Sequence, residues 1–186
     1  QDVFFVGGDI KEAVTQGVRQ GYDEGYLRKS IVRDPVFRKG VSGHIPPVIH
    51  TEITRGDRIK ISFAPKGFGS ENKSAIKMLN PTDGTPKIRE FVIDTVMKAG
   101  PGACPPFIVG IGIGGTFEKA AMLSKKALLE RIDKANRKPR LRQLERELKK
   151  EINGLGIGPM GLGGKTTCLA VKILDNPTHI AGLPVA

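Results

Sequence analysis

Residues 107–129 read FIVGIGIGGTFEKAAMLSKKALL, and this stretch decides the fold class. Residues 107–113 form an apolar run short enough to be a buried strand. The glycines of residues 110–115 make a turn, and residues 116–129 then change to the apolar spacing of a helix. A strand that feeds a helix in this way belongs to a layered domain of interleaved strands and helices.

The same alternation continues on both sides. Downstream, residues 141–152 are charged and helical with a thin apolar seam of Leu141, Leu144 and Leu148, and residues 168–174 read as a last strand. Upstream, Thr85-Pro86 opens a helix with Ile88, Phe91, Val92 and Val96 inward and Gly100 beyond its end. Ser70 caps a predicted helix that runs to Leu79 and is ended by Asn80-Pro81. Residues 48–54 and 58–64 read as two strands of a hairpin joined through Arg55-Gly56-Asp57, with Ile59, Ile61 and Phe63 on one face of the second. Residues 27–32 carry alternating basic residues until Asp34-Pro35 breaks the run. Asp9 caps a helix whose apolar positions are Ile10, Ala13, Val14 and Val18, and residues 3–6 precede it as a strand. The expectation is a single domain over residues 1–186 of α/β or α+β class, a mixed sheet flanked by helices with glycine-rich loops at helix starts.

With 186 residues, 39% of them hydrophobic, the chain can bury a core and is no disordered polymer. No apolar run is long enough to span a bilayer, and residues 1–8 lack the basic and apolar regions of a secretory signal. A soluble, cytoplasmic protein without a membrane partner is expected. The net charge of +11 suits anions of any size, from phosphate backbones to small dicarboxylates. Aromatic residues make up only 5%, with no Trp, so platforms for stacking single strands are scarce. In the basic helix of residues 140–150, Glu145 and Glu147 favour intrahelical pairing on a solvated face over a nucleic-acid surface.

Three glycine loops stand out. Residues 154–167, GLGIGPMGLGGKTT, miss a phosphate loop by one position, because Pro159 stands where a glycine amide is needed. Residues 156–161 satisfy GxGxxG but follow a helix instead of a strand, so the dinucleotide context is absent. Residues 110–115, GIGIGG, could aim amides at an anion at a helix start, or simply make a tight connection. The third loop is KGFGSENK, residues 66–73.

Two cysteines cannot make a disulfide framework, and no ligand spacing joins them, so a self-contained metal site is not expected. Cys168, inside a predicted strand, reads as an inert small hydrophobe. Cys104 stands before Pro105-Pro106 at a strand entrance, where a thiolate could face a site. His179, in Pro177-Thr178-His179, is a candidate acid, base or donor. His44 and His50 read as structural or exposed.

Taken together, GYLRKSIVRDP (25–35), APKGFGSENKS (64–74), CPPFIVGIGIGGTFEKA (104–120), GIGPMGLGGKTT (156–167) and PTHIAGLPVA (177–186) closely resemble the class I fumarate hydratases and the related tartrate dehydratases. The resemblance is to their alpha subunit, or to the N-terminal domain where the enzyme is one chain. It implies a hydro-lyase of the tricarboxylic acid cycle type that hydrates fumarate to L-malate, or one that dehydrates L(+)-tartrate to oxaloacetate. It implies a 4Fe-4S cluster held by three cysteines, of which Cys104 matches the middle one. The other two fall before Gln1 and after Ala186, so the sequence resembles an alpha subunit short at both ends. By the same resemblance Arg28 meets a substrate carboxylate, with Arg33 as its alternative. Gly69 brings backbone to the substrate, and His179 lies near it in a catalytic or binding role. A beta subunit completes the site, the alpha chain pairs with itself, and nucleic acid is not a partner. A phosphate- or nucleotide-binding module is the remote alternative, and a basic nucleic-acid-binding domain the third.

Overall fold

The alternation Ile111, Ile113 against Gly110, Gly112 gives the central strand two unlike faces, and the rest of the fold follows from them. The structure, a computed structural model, describes residues 8–186. It divides into two units, Gln1–Ile59 and Lys60–Ala186.

In the second unit the sheet has four strands in the order β3-β6-β4-β5: β3 (Lys77–Leu79), β4 (Phe107–Gly114), β5 (Cys168–Asn176) and β6 (Leu183–Val185). β4 and β5 are parallel, and β6 runs antiparallel to both β3 and β4. The sheet is therefore mixed, as expected for an α/β chain. Three helices cover it, α3 (Gly84–Ala99), α4 (Phe117–Ala127) and α5 (Pro139–Gly154). Ile111 of β4 joins Val171 and Ile173 of β5, Ile88, Val92 and Val96 of α3, and Leu144, Leu148 and Ile152 of α5 in one buried core. The glycine face of β4 is covered by α4 instead. A methyl on Gly110 or Gly112 would run into the backbone carbonyls of Ser124 or Ala120. Glycine here lets a helix lie directly on the strand.

Buried polar groups in this unit are answered by partners, as they must be. The Glu145 carboxylate of α5, 8% exposed, accepts from the Ile173 amide at 2.8 Å and from Asn136 Nδ2 at 2.9 Å. Asn153 Oδ1 accepts from the amides of Thr167 and Cys168, both at 2.8 Å, and so ties the end of α5 to the start of β5. The intrahelical pairing expected of Glu145 and Glu147 is corrected for Glu145, while Glu147 keeps one intrahelical bond, accepting from Gln143 Nε2 at 2.9 Å. Glu145 turns inward, and Glu147 pairs with Arg89 of α3, as does Glu151.

In the first unit α1 (Ile10–Glu24) starts where Asp9 accepts from the amides of Lys11 at 2.7 Å and Glu12 at 3.2 Å. Its apolar positions are at most half-buried. Strands β1 (Val32–Asp34) and β2 (Lys39–Val41) form a two-stranded hairpin, so within residues 27–32 only Val32 is strand. The strand expected over residues 3–6 lies outside the described residues.

Two further expectations are corrected. Residues 48–64 form no hairpin; they carry no regular structure, and Ile53, Ile59, Ile61 and Phe63 are exposed. Alternation specifies a strand only where one face has a core to bury against, and a lone two-stranded ribbon is marginal in water. The helix expected from Ser70 to Leu79 is only α2 (Phe68–Glu71), capped by Gly67, and residues 77–79 become β3. The edge of β6 offers Lys77 to Leu79 a ladder that a short helix lacking an apolar face cannot match.

Candidate active site

The loop before β4 presents Cys104. A 3-10 turn, Gly100–Ala103, ends at Cys104, whose backbone is left-handed at φ 57°, ψ 57° and whose amide donates to the Pro101 carbonyl at 2.9 Å. Cys104 is exposed. A left-handed non-glycine residue is strained and persists where its surroundings over-determine it. Here the surroundings are the glycine loop of residues 156–164. The Met160 amide donates to the Pro105 carbonyl at 2.8 Å, and a methyl on Gly161 would sit 2.5 Å from Pro101 Cβ.

Most amides of that loop are already engaged within the protein. Those of Gly161 and Leu162 donate to the carbonyls of Gly158 and Pro159, and that of Gly163 to Ile157. The Gly158 amide donates to the buried Thr167 hydroxyl at 3.1 Å. The loop buttresses the cysteine turn.

α2 brings Gly69 to the same place. A methyl on Gly69 would lie 3.1 Å from the Gly102 carbonyl and 3.5 Å from Cys104 Sγ, so the helix backbone borders the thiol. Glu71 anchors this helix. It pairs with Lys66 at 2.9 Å and with Lys125 of α4. Partial burial opposes its ionisation, but the hydrogen bonds and charges of Lys125 and Lys66 outweigh it and hold the carboxyl below the ordinary glutamate value. Lys73 lies over Gly102. The structure thus brings together Cys104, Gly69 and Lys73, with Lys66 and Lys125 one step out on Glu71, a rim of lysines that the sequence reading missed. The lysines of KGFGSENK were the available signal, read there only as parts of a glycine loop.

Cys168 contrasts with Cys104. It is 1% exposed, its thiol donates to the Ala170 carbonyl at 3.0 Å, and burial pushes it up to about 11. It is the inert cysteine expected.

His179 is not brought to Cys104. Thr178 donates to the Gly115 carbonyl at 2.9 Å, which fixes His179 beyond the C-terminal end of β4, whereas Cys104 precedes the N-terminal end. The eight residues of β4 separate those ends by about 23 Å at 3.3 Å per step. His179 is exposed, and its Nδ1 accepts from the Ala181 amide at 3.2 Å. Arg28 and Arg33 belong to the first unit, and both are exposed. In that unit His44 stacks on Tyr22, with ring centroids 3.9 Å apart, and accepts from the Ser30 amide at 3.2 Å. It serves the local fold. His50 is exposed.

As a cofactor donor, Cys104 is an exposed soft thiol suited to one corner of an iron-sulfur cluster. Among the described residues no three His, Cys, Asp or Glu side chains gather as ligands. Cys104 therefore fits such a group as one ligand of several. No helix among the described residues is long and apolar enough to cross a membrane.

Comparison with known proteins agrees with the motifs. The family described as fumarate hydratase (fumerase) matches residues 1–186. A Methanocaldococcus jannaschii protein, provisionally named L(+)-tartrate dehydratase subunit alpha, is 45% identical over 181 residues, 95% of this chain and 63% of its own length. The L(+)-tartrate dehydratase subunit alpha of Escherichia coli strain K12 is 31% identical over 182 residues, 96% of this chain and 60% of its own. The chain thus spans about three fifths of the length of these curated relatives. On the family match over all its residues and these two likenesses, the chain belongs to the fumarate hydratase (fumerase) family.

Proposed function

We propose that this chain is the alpha part of a 4Fe-4S-dependent hydro-lyase that adds water reversibly to fumarate to give L-malate. The observation that carries the reading is Cys104, an exposed thiol held in a left-handed turn against the bare backbone of Gly69, with Lys73 lying across Gly102 of the same turn. A second reading, dehydration of L(+)-tartrate to oxaloacetate, is favoured by the names of the two relatives. Both reactions involve a dicarboxylate, which a basic rim attracts.

Cys104 would be one ligand of the cluster, with two further cysteines supplied from outside these 186 residues. The chemistry such a cluster supplies when bound is Lewis-acid assistance to a departing hydroxyl. Gly69, without a side chain, leaves room for substrate against the backbone. Arg28 holds a carboxylate through its two-pronged guanidinium. His179 has Nδ1 engaged by Ala181, which leaves Nε2 to give or take a proton. His179 stands at the far end of β4 from Cys104, so in this reading it would serve the Cys104 site of a second alpha chain, and a homodimer of alpha chains is part of the proposal. A beta subunit supplies the remaining carboxylate-binding groups and the base. The whole of residues 1–186 acts as one catalytic domain in the cytoplasm.

The test is anaerobic iron-sulfur reconstitution of the complete alpha subunit with its beta partner, assayed with fumarate and with L(+)-tartrate, beside Cys104→Ala. Cluster absorbance and turnover that the variant loses, by at least a hundredfold, are expected. Equal turnover in the variant sinks the reading, and the better substrate decides between the two reactions.

A further inference from the structure

Lys73 is the one member of the lysine rim that Glu71 does not claim. The Glu71 carboxylate already pairs with Lys66 and Lys125, and among the described residues no carboxylate pairs with Lys73. Its side chain nonetheless has a defined course. A methyl on Gly102 would lie 2.9 Å from Lys73 Cε and 3.4 Å from Nζ, so the aliphatic stem lies across that glycine. Gly102 is two residues before Cys104, and its carbonyl faces Gly69, which borders the thiol. The ammonium therefore stands over Gly102, two residues before the exposed Cys104, on the turn whose carbonyl faces Gly69. An ammonium with three donors and no acid partner, held against bare backbone, is arranged for an anion from solution.

We infer that Lys73 anchors one carboxylate of the dicarboxylate substrate at the Cys104 site, and so helps to select dicarboxylates over monocarboxylates. This rests on the hydro-lyase reading for the identity of the ligand. Lys66 and Lys125 do a different job, holding α2 to α4 through Glu71, while Lys73 meets the substrate directly. Its length and single charge suit a carboxylate at variable angle, whereas a guanidinium would demand the planar two-pronged approach.

The experiment uses the reconstituted alpha–beta enzyme and measures succinate and butyrate binding by calorimetry, together with KM and kcat, for wild type, Lys73→Met and Lys73→Arg. In Lys73→Met, succinate binding should weaken at least tenfold, butyrate binding by threefold or less, and KM should rise with the succinate dissociation constant while kcat changes less. Lys73→Arg, which keeps the charge but not the compact ammonium, should recover only part of the loss. Unchanged succinate binding in Lys73→Met overturns the inference, as does an equal loss for both ligands, which would mark a structural role. Failure of the hydratase reading is distinguishable: wild type would then bind succinate without turning over either substrate, and the role of Lys73 would still be decided by binding.

Discussion

Gly112 in β4 and Gly161 in the loop after α5 both stand where a side chain has no room, for different reasons. Gly112 is extended backbone under α4: a methyl there would meet the Ala120 carbonyl, the Ser124 amide nitrogen at 2.6 Å and Leu123 Cβ at 2.8 Å. Gly161 has φ +78°, and its would-be methyl meets a ring, Pro101. The first glycine lets two elements touch, and the second lets a chain reverse. Glycine-rich sequence therefore marks core packing in one place and a turn in the other, and neither use involves a phosphate.

The contrast predicts two unequal losses. Gly112→Ala should be the larger, because helix α4 must move as a body off the sheet. Overpacking of this kind costs typically 1–3 kcal/mol, and about 3 is expected here. For a chain of this size that lowers Tm by about 6–12 °C, measurable by circular dichroism. A loss below about 1 kcal/mol would mean that α4 yields easily, and the comparison would fail. Gly161→Ala should cost about 1–2 kcal/mol, from a left-handed residue gaining a Cβ. Its distinctive effect should fall on Cys104. Alkylation by iodoacetamide at pH 8 should be confined to Cys104, because Cys168 is buried and held up to about 11. The rate should change severalfold in Gly161→Ala and stay near wild type in Gly112→Ala. Equal changes in both would show that the 156–164 loop has no special hold on the cysteine turn.

Much of the second unit was legible in sequence. The strand and helix of residues 107–129 emerged within two residues at either end, because a run of apolar residues, a glycine turn and a change of period are local signals that tertiary packing reinforces. The hairpin at residues 48–64 was misread because alternation is also local, and nothing in it says whether a core exists to receive Ile59, Ile61 and Phe63. The helix from Ser70 failed for the opposite reason, since β6, more than 100 residues later, claims residues 77–79. Cys104 and Gly69 were picked out through motifs, and the structure sets them side by side. What motif order conceals is the strand between Cys104 and His179. Two residues in one family pattern need not share one end of a sheet. The ion pairs of Glu71 were illegible too, because Lys125 lies 54 residues away and only packing brings it near.

Glu71 provides the smallest of the expected effects and separates anchoring from ligand binding. Its carboxyl is held below the ordinary value of 4.5 by Lys125 and Lys66 against the opposing effect of burial. A carboxyl whose value is lower in the folded chain than in the unfolded one contributes stability that is complete above the unfolded value. That contribution disappears as pH falls through the folded value, so it should be present at pH 7 and fade below 4.5. The side chains are about one third exposed, which places the pair network near the surface, where such contacts are worth about 0.2–1 kcal/mol each. Glu71→Gln should therefore lower stability by about 1 kcal/mol or less at pH 7, and the difference from wild type should shrink as the pH of a urea titration is lowered toward 3. Added salt should shrink it as well. A difference that stays constant from pH 7 to 3 would show that the side chain acts by packing, and α2 would then owe its place beside Cys104 to Gly69 and Gly102 alone.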